Sequence, residues 1–231
     1  MGAGLLANAE CQSPKILTDP PLSRASPLPH FERLWVRCSG ATGPNLSAAA
    51  PQKTGQSAYR SLILAHKDSG IGELSDLKGH TFAFVDPSSA SGHLFPKAGL
   101  EQAGFDPEKL FSRVIFSGSH DASILAVANR KVDAAAVADR ILANAVARGL
   151  VKDDDLQVVW SSRPIPESPM VWRKNLDPAL KEKVAAALAS IKDVPWGDQG
   201  QLDGFQPTTD AAYDVVRETA KVLDLDLRRL K

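Results

Sequence analysis

Cysteine is nearly absent from this chain, with two in 231 residues. Cys11 and Cys38 fit no zinc or redox spacing; they read as unpaired, incidental thiols, with pairing in an oxidising compartment as the alternative, and no metal site is expected. Charge of one sign is absent too, since 27 Lys and Arg balance 27 Asp and Glu. A nucleic-acid binder needs a basic face to displace counterions from phosphates, and a membrane-surface protein needs a polybasic patch; neither is present. No run approaches the roughly 18 apolar residues of a spanning helix. Missing as well are the Gly-x-Ser-x-Gly elbow, the Walker loop, His-Glu-x-x-His and Gly-x-Gly-x-x-Gly, so no enzyme is expected.

What remains is an ordinary soluble composition, 43% hydrophobic and 23% charged, unevenly distributed. Residues 1–57 hold 7 of the 16 prolines, both cysteines and only eight charged side chains. Proline at this density breaks helices and removes ladder donors, so 1–57 reads as an irregular arm. Its opening Met1–Ala9 lacks the positive n-region and the uninterrupted apolar stretch of a signal peptide. The body, 58–231, carries 22 basic and 24 acidic side chains and is nearly neutral by itself.

In the body the periods become legible. Strands are expected at 61–65, 81–85, 114–116, 132–137, 156–160 and 170–173. Helices are expected around 94–103, 124–128 and 141–146, with Gly104 and Gly149 as stops. Strand–helix alternation at this pace predicts βαβ crossovers and a largely parallel sheet. Asp177 and Pro178 open a further helix to about Ile191. Thr208 to Asp210 cap a last one with Tyr213, Val216, Ala220 and Leu223 inward, and 193–207 reads as a Gly- and Pro-punctuated loop.

Two strand-to-helix turns carry the chemistry, Val85 to His93 and Phe116 to Asp121. At the carboxyl ends of strands in an open α/β sheet, a helix N-terminus offers unpaired N–H groups and partial positive charge to an anion. Serine hydroxyls add donors. Neither turn contains Lys or Arg, so the expected site is built from neutral donors and the imidazole of His120, whose protonation would strengthen the contact. Each turn taken singly could simply cap a helix; the pair at successive strand ends favours a site. His93 and Asp133 read as structural, His30, His66 and His80 have no ligand spacing, and Trp160 and Trp172 read as core.

At these residues the sequence resembles the phosphonate/phosphite/phosphate-type substrate-binding proteins of ABC transporters. The matching pieces run in order through Tyr59–Ser61, Asp76–Gly79, Thr81–Pro87, Ser91–Pro96, Phe116–Ser123, Ala126–Asn129, Val132–Val137, Ile165–Pro166 and Gly204–Phe205. The resemblance implies an α/β, type II periplasmic-binding-protein-like fold: two hinged lobes, the first incomplete (58–76 and 163–231, including the C-terminal helices) and the second complete (77–162). It implies a periplasmic, monomeric solute-binding component that takes a small phosphorus oxyanion, works with a membrane permease and uses no cofactor. By the same resemblance Ser89, Ala90, Ser91 and His120 would hold the oxyanion, Asp139 would sit near the ligand's other end, and Tyr59 would contribute from the first-lobe side. A ligand-sensing domain and a phosphate-ester enzyme are the alternatives.

The chain departs from the family in three places. Ala90 stands where relatives often have Thr. Ser168 stands where aminophosphonate binders tend to have an acidic residue, and in an extended strand Glu167 should point elsewhere. Phosphate, phosphite or a simple alkylphosphonate is therefore expected over an aminophosphonate. The arm occupies the place of the first strands of lobe one, which suggests a truncated or rearranged member whose 61–65 strand and C-terminal helices have lost packing partners.

Overall fold

Short continuous apolar runs form the centre of the molecule. The structure, a computed structural model, describes residues 46–48, 57–172, 175–195 and 201–225, with backbone alone at 46–48 and 201. Cys11 and Cys38 lie outside these residues. The strands are β1 (Leu46–Ala48), β2 (Ala58–Tyr59), β3 (Ser61–His66), β4 (Thr81–Phe84), β5 (Arg113–Phe116), β6 (Ala134–Ala138) and β7 (Leu156–Ser161). After them come β8 (Ile165–Pro166), β9 (Pro169–Met170), β10 (Lys192–Pro195), β11 (Gln201–Gly204) and β12 (Gln206–Thr208). The helices are α1 (Phe95–Gln102), α2 (Pro107–Leu110), α3 (His120–Ala128), α4 (Asp139–Ala147), α5 (Pro178–Ser190) and α6 (Asp214–Val222).

Five strands form one sheet in the order β5-β4-β6-β3-β7. Successive side chains on a strand face opposite ways, and here both faces are covered. Leu62, Leu64, Ala83, Ala135 and Val137 pack on one face with Ile124 and Val127 of α3 and Ile141 of α4. Ile63, Ala65, Phe82, Phe84, Ala134 and Ala136 pack on the other with Leu100 of α1 and Leu110 of α2. Double coverage is why these strands read as continuous apolar runs. Each fully buried Leu or Ile contributes about 1.5–3 kcal/mol.

The sheet is mixed, not largely parallel. β4 runs parallel to β5 and β6, while β3 is antiparallel to both β6 and β7. Only β3 is reversed, because it carries the chain into this unit beside the strand that carries it out. β3 lies inside the five-stranded sheet with Ile63, Leu64 and Ala65 fully buried, so 61–65 has the packing partners it was expected to lack.

Entering and leaving segments cross side by side. Ala58 pairs with Pro166 and Tyr59 with Ile165; the Ser162 N–H donates to Ser61 O at 2.9 Å and the Ser61 N–H to Ser162 Oγ at 2.9 Å. These segments stand where the resemblance implies a hinge. Beyond them β1 pairs with β12 and β9, which places a short strand within the segment read as an irregular arm. The stretch read as a 193–207 loop instead contains β10, β11 and β12, with 196–200 outside the described residues. Of the strand expected at 170–173, Met170 lies in β9 and 173 is outside the described residues. α5 buries no residue, whereas α6 buries Thr219 and Ala220 and lies against α1.

Candidate functional site

Because β4, β5 and β6 run the same way, their carboxyl ends share one edge of the sheet, and the amino end of β3 reaches that edge beside β6, with Ser61 opposite Ala138. Three turns and the hinge therefore meet there.

The turn after β4 folds back on its strand, the Val85 N–H donating to Gly92 O at 3.0 Å. That approach requires glycine, since a Cβ at Gly92 would fall 2.5 Å from Val85 Cβ and 2.8 Å from Ser89 Oγ. Ser89 is the N-cap, its Oγ accepting from the Gly92 N–H at 3.0 Å, which leaves the hydroxyl proton to donate outward. Ala90–Leu94 winds as a single π turn running into α1, a geometry frequent at functional sites. The N–H groups of Ala90 and Ser91 are the first of this helix and have no intrahelical acceptor. Ser91 is buried, and its carbonyl accepts from Ser61 Oγ at 2.6 Å, which ties the turn to the hinge.

The turn after β5 continues the ladder, with the Ser117 and Gly118 N–H groups donating to Phe84 O and Val85 O at 2.8 Å. Gly118 sits at φ +83°, a conformation that costs other residues about 1–2 kcal/mol. Ser119 caps α3 by accepting from the Ala122 N–H at 3.1 Å, and His120 is the first helical residue. Its Nδ1 accepts from the Ala138 N–H at 3.1 Å. That bond fixes the tautomer: Nδ1 is unprotonated and the proton sits on Nε2 as a donor. Burial, and secondarily Arg140, hold the imidazole down at about 4. This corrects the expected protonation. His120 is a neutral donor whose Nδ1 is already engaged, and its ordinary titration range is displaced.

The turn after β6 brings Asp139 and Arg140. The Asp139 N–H donates to Arg60 O at 3.0 Å, and its carboxylate accepts from the Arg140 N–H at 2.6 Å. Arg140 also corrects the expectation of a site without a basic side chain. Its Nη1 lies 3.0 and 3.1 Å from the two carboxylate oxygens of Glu167, and its guanidinium carbon stands 4.5 Å above the centre of the Tyr59 ring. Burial raises the Tyr59 phenol above its usual range, so it remains an O–H donor.

Glu167 points inward, contrary to expectation. Ile165 and Glu167 share the buried side of the segment running on from β8, and Ser168 is exposed, as period-two alternation requires. Its N–H donates to Ser57 O at 3.0 Å and its carbonyl accepts from Tyr213 Oη at 2.9 Å. Burial outweighs the nearby Arg140 and pushes the carboxyl up to about 7.

Tyr59, Ser89, Ala90, Ser91, His120 and Asp139 therefore gather at one edge, joined by Arg140 and Glu167, which the sequence pattern did not single out. His93 is turned away, its Nδ1 2.9 Å from Pro87 O and its ring edge-on to Phe84. Asp133 accepts from the Thr81 N–H and hydroxyl at 2.8 and 2.7 Å, at the opposite end of β6. A hollow of about 240 Å³ bordered by Ser57, Ala58, Pro166 and Tyr213 shares no residue with these turns. The described residues hold no cluster of three metal-ligating side chains, and no helix among them is long and apolar enough to cross a membrane. Two helix N-termini, hydroxyls, a neutral imidazole and one guanidinium make a cradle suited to an oxyanion.

The profile of the family described as "ABC transporter, phosphonate, periplasmic substrate-binding protein" matches residues 36–213, so the similarity begins well before residue 58. The chain is 31% identical over 213 residues to the phosphate-import protein PhnD of Mycolicibacterium smegmatis, covering 83% of this chain and 66% of that protein. It is 37% identical over 134 residues to the phosphonates-binding periplasmic protein of Escherichia coli, covering 56% of this chain and 39% of that one. The matched stretch thus spans less than two thirds of either relative. A binding-protein component of an ABC phosphonate transporter from Pseudomonas aeruginosa superimposes with a TM-score of 0.58 at 30% identity, covering 76% of this chain and 60% of that one. The fold is that of the type II periplasmic binding proteins, and the family is one of transport receptors, not of enzymes. By sequence, and by the arrangement of sheet, hinge and turns, the chain belongs to the phosphonate-type periplasmic substrate-binding proteins of ABC transporters.

Proposed function

We propose that this protein is the solute-binding component of an ABC importer for a phosphorus oxyanion, acting as a periplasmic monomer that delivers its ligand to a membrane permease. The observation that carries the proposal is the convergence of the α1 and α3 N-termini with Tyr59, His120 and Arg140 at one sheet edge beside a hinge. The Ala90 and Ser91 N–H groups, the Ser89 and Ser91 hydroxyls and His120 Nε2 would hold the oxygens, with Tyr59 closing from the hinge and Asp139 near the ligand's far end. Neutral donors at helix ends recognise an oxyanion by its geometry and proton count. The relatives' names, one a phosphate importer and one a phosphonate binder, support phosphate, phosphite or a simple alkylphosphonate as the ligand class.

Isothermal titration calorimetry of the purified chain with phosphate, phosphite and methylphosphonate tests the proposal. Saturable binding of at least one is expected. Ser91→Ala and His120→Ala should each weaken it tenfold or more, since a hydrogen bond to a charged group is worth about 1.5–3 kcal/mol. Binding of none of the three, or binding indifferent to both substitutions, would overturn it.

A further inference from the structure

Two carboxylates flank Arg140: that of Asp139, which accepts from the Arg140 N–H at 2.6 Å, and that of Glu167, which accepts from its guanidinium. One cation, Arg140, lies among them. Its guanidinium bridges both Glu167 oxygens from above the Tyr59 ring, and the pair is nearly withdrawn from solvent, with side chains 15% and 5% exposed. Arg140 lies at the start of α4, two residues after Ala138, whose N–H donates to His120, so its charge stands beside the cradle. A buried carboxylate needs a counter-ion within contact distance, and removing one partner of such a pair leaves a strong demand for another cation. Arg140 meets that demand at Glu167. A ligand ammonium arriving there would have to displace the guanidinium.

Building on the oxyanion-binding function proposed above, we propose that Arg140 is a specificity-determining residue: by occupying Glu167 and adding positive charge beside the cradle, it selects phosphorus oxyanions without a cationic group and rejects those that carry an ammonium. Discrimination against the wrong ligand here is electrostatic repulsion together with the cost of breaking a formed ion pair.

The test compares methylphosphonate with 2-aminoethylphosphonate by calorimetry, since the two share a phosphonate head and differ in the cation. The ratio of their dissociation constants does not follow a general loss of structure. The wild type should favour methylphosphonate. Arg140→Gln should shift the ratio at least tenfold toward 2-aminoethylphosphonate, and adding Glu167→Gln to it should abolish that shift. If Arg140→Gln does not fold, as judged by circular dichroism, Glu167→Gln alone decides: it leaves the guanidinium charge uncompensated and should move the ratio further toward methylphosphonate. Binding of both ligands with a ratio unmoved by these substitutions overturns the role of Arg140 while leaving the oxyanion function standing. A wild type that binds neither these nor phosphate overturns the function and this inference with it.

Discussion

His120 and Glu167 carry opposite pH signatures at the same site. The imidazole is held at about 4 against its usual 6.5, so between those values the unfolded chain binds more protons than the folded one. Its contribution to stability is present above pH 6.5 and lost as pH falls toward 4. The Glu167 carboxyl is raised from 4.5 to about 7, so its contribution is present below pH 4.5 and lost as pH rises through 7. Each slope is at most roughly 1.4 kcal/mol per pH unit, and between 4.5 and 6.5 they oppose one another. Urea denaturation across pH 4.5–7.5 should therefore show His120→Gln losing stability more steeply with rising pH than the wild type. Glu167→Gln should gain stability toward neutrality; identical profiles for all three proteins would contradict these shifts. At this scale the sequence marked His120 and the serines through their turns but not Arg140 or Glu167. Their partnership joins positions 27 residues apart, and the sequence reading has Glu167 pointing elsewhere.

At the scale of elements, glycines set how closely helices approach the sheet. A Cβ at Gly99 would lie 2.2 Å from the Trp160 ring on β7, so α1 rests on that indole through the absence of a side chain. Gly99→Ala should cost about 1–3 kcal/mol as overpacking, measured as a lower urea midpoint with unchanged m-value. Gly92→Ala forces apart Val85 and the Ser89 cap and should weaken oxyanion binding as well as stability. Calorimetry showing wild-type affinity would refute that link between turn closure and the cradle. The strands of the five-stranded sheet were legible because burial on both faces selects unbroken apolar runs, as at Ser61–His66 and Ala134–Ala138. The strands between 192 and 208 were not legible. Pro195 and Pro207 suggested a loop, but both lie in small sheets at the periphery of the molecule, pairing with Gln201 and Ser47, where a missing N–H is tolerated.

For the whole molecule, the proposed ligand binding predicts a gain in stability. Two crossing segments connect the five-stranded unit to the elements beyond it, and Ser162 is central to them, its Oγ accepting from the Ser61 N–H and donating to Arg163 O at 2.6 Å. A ligand that binds only the folded form at a hundred times its dissociation constant adds about 2.7 kcal/mol. Methylphosphonate or phosphate should therefore raise Tm by roughly 5–10 °C and leave a Ser91→Ala, His120→Ala double variant unmoved. An equal rise in both would point to a nonspecific salt effect. Zero net charge is compatible with the proposed anion recognition for a local reason: the donors proposed for it are backbone N–H groups, hydroxyls and one imidazole, and the Arg140 guanidinium is paired with Glu167. By itself the sequence determined the strands and helices of the central unit and the two serine-rich turns, because those depend on residue order over a few positions. Only the tertiary structure decided that β3 runs reversed through the sheet and that Arg140 and Glu167 meet over Tyr59. Strand direction and buried ion pairs arise from contacts between distant segments, which local patterning does not encode.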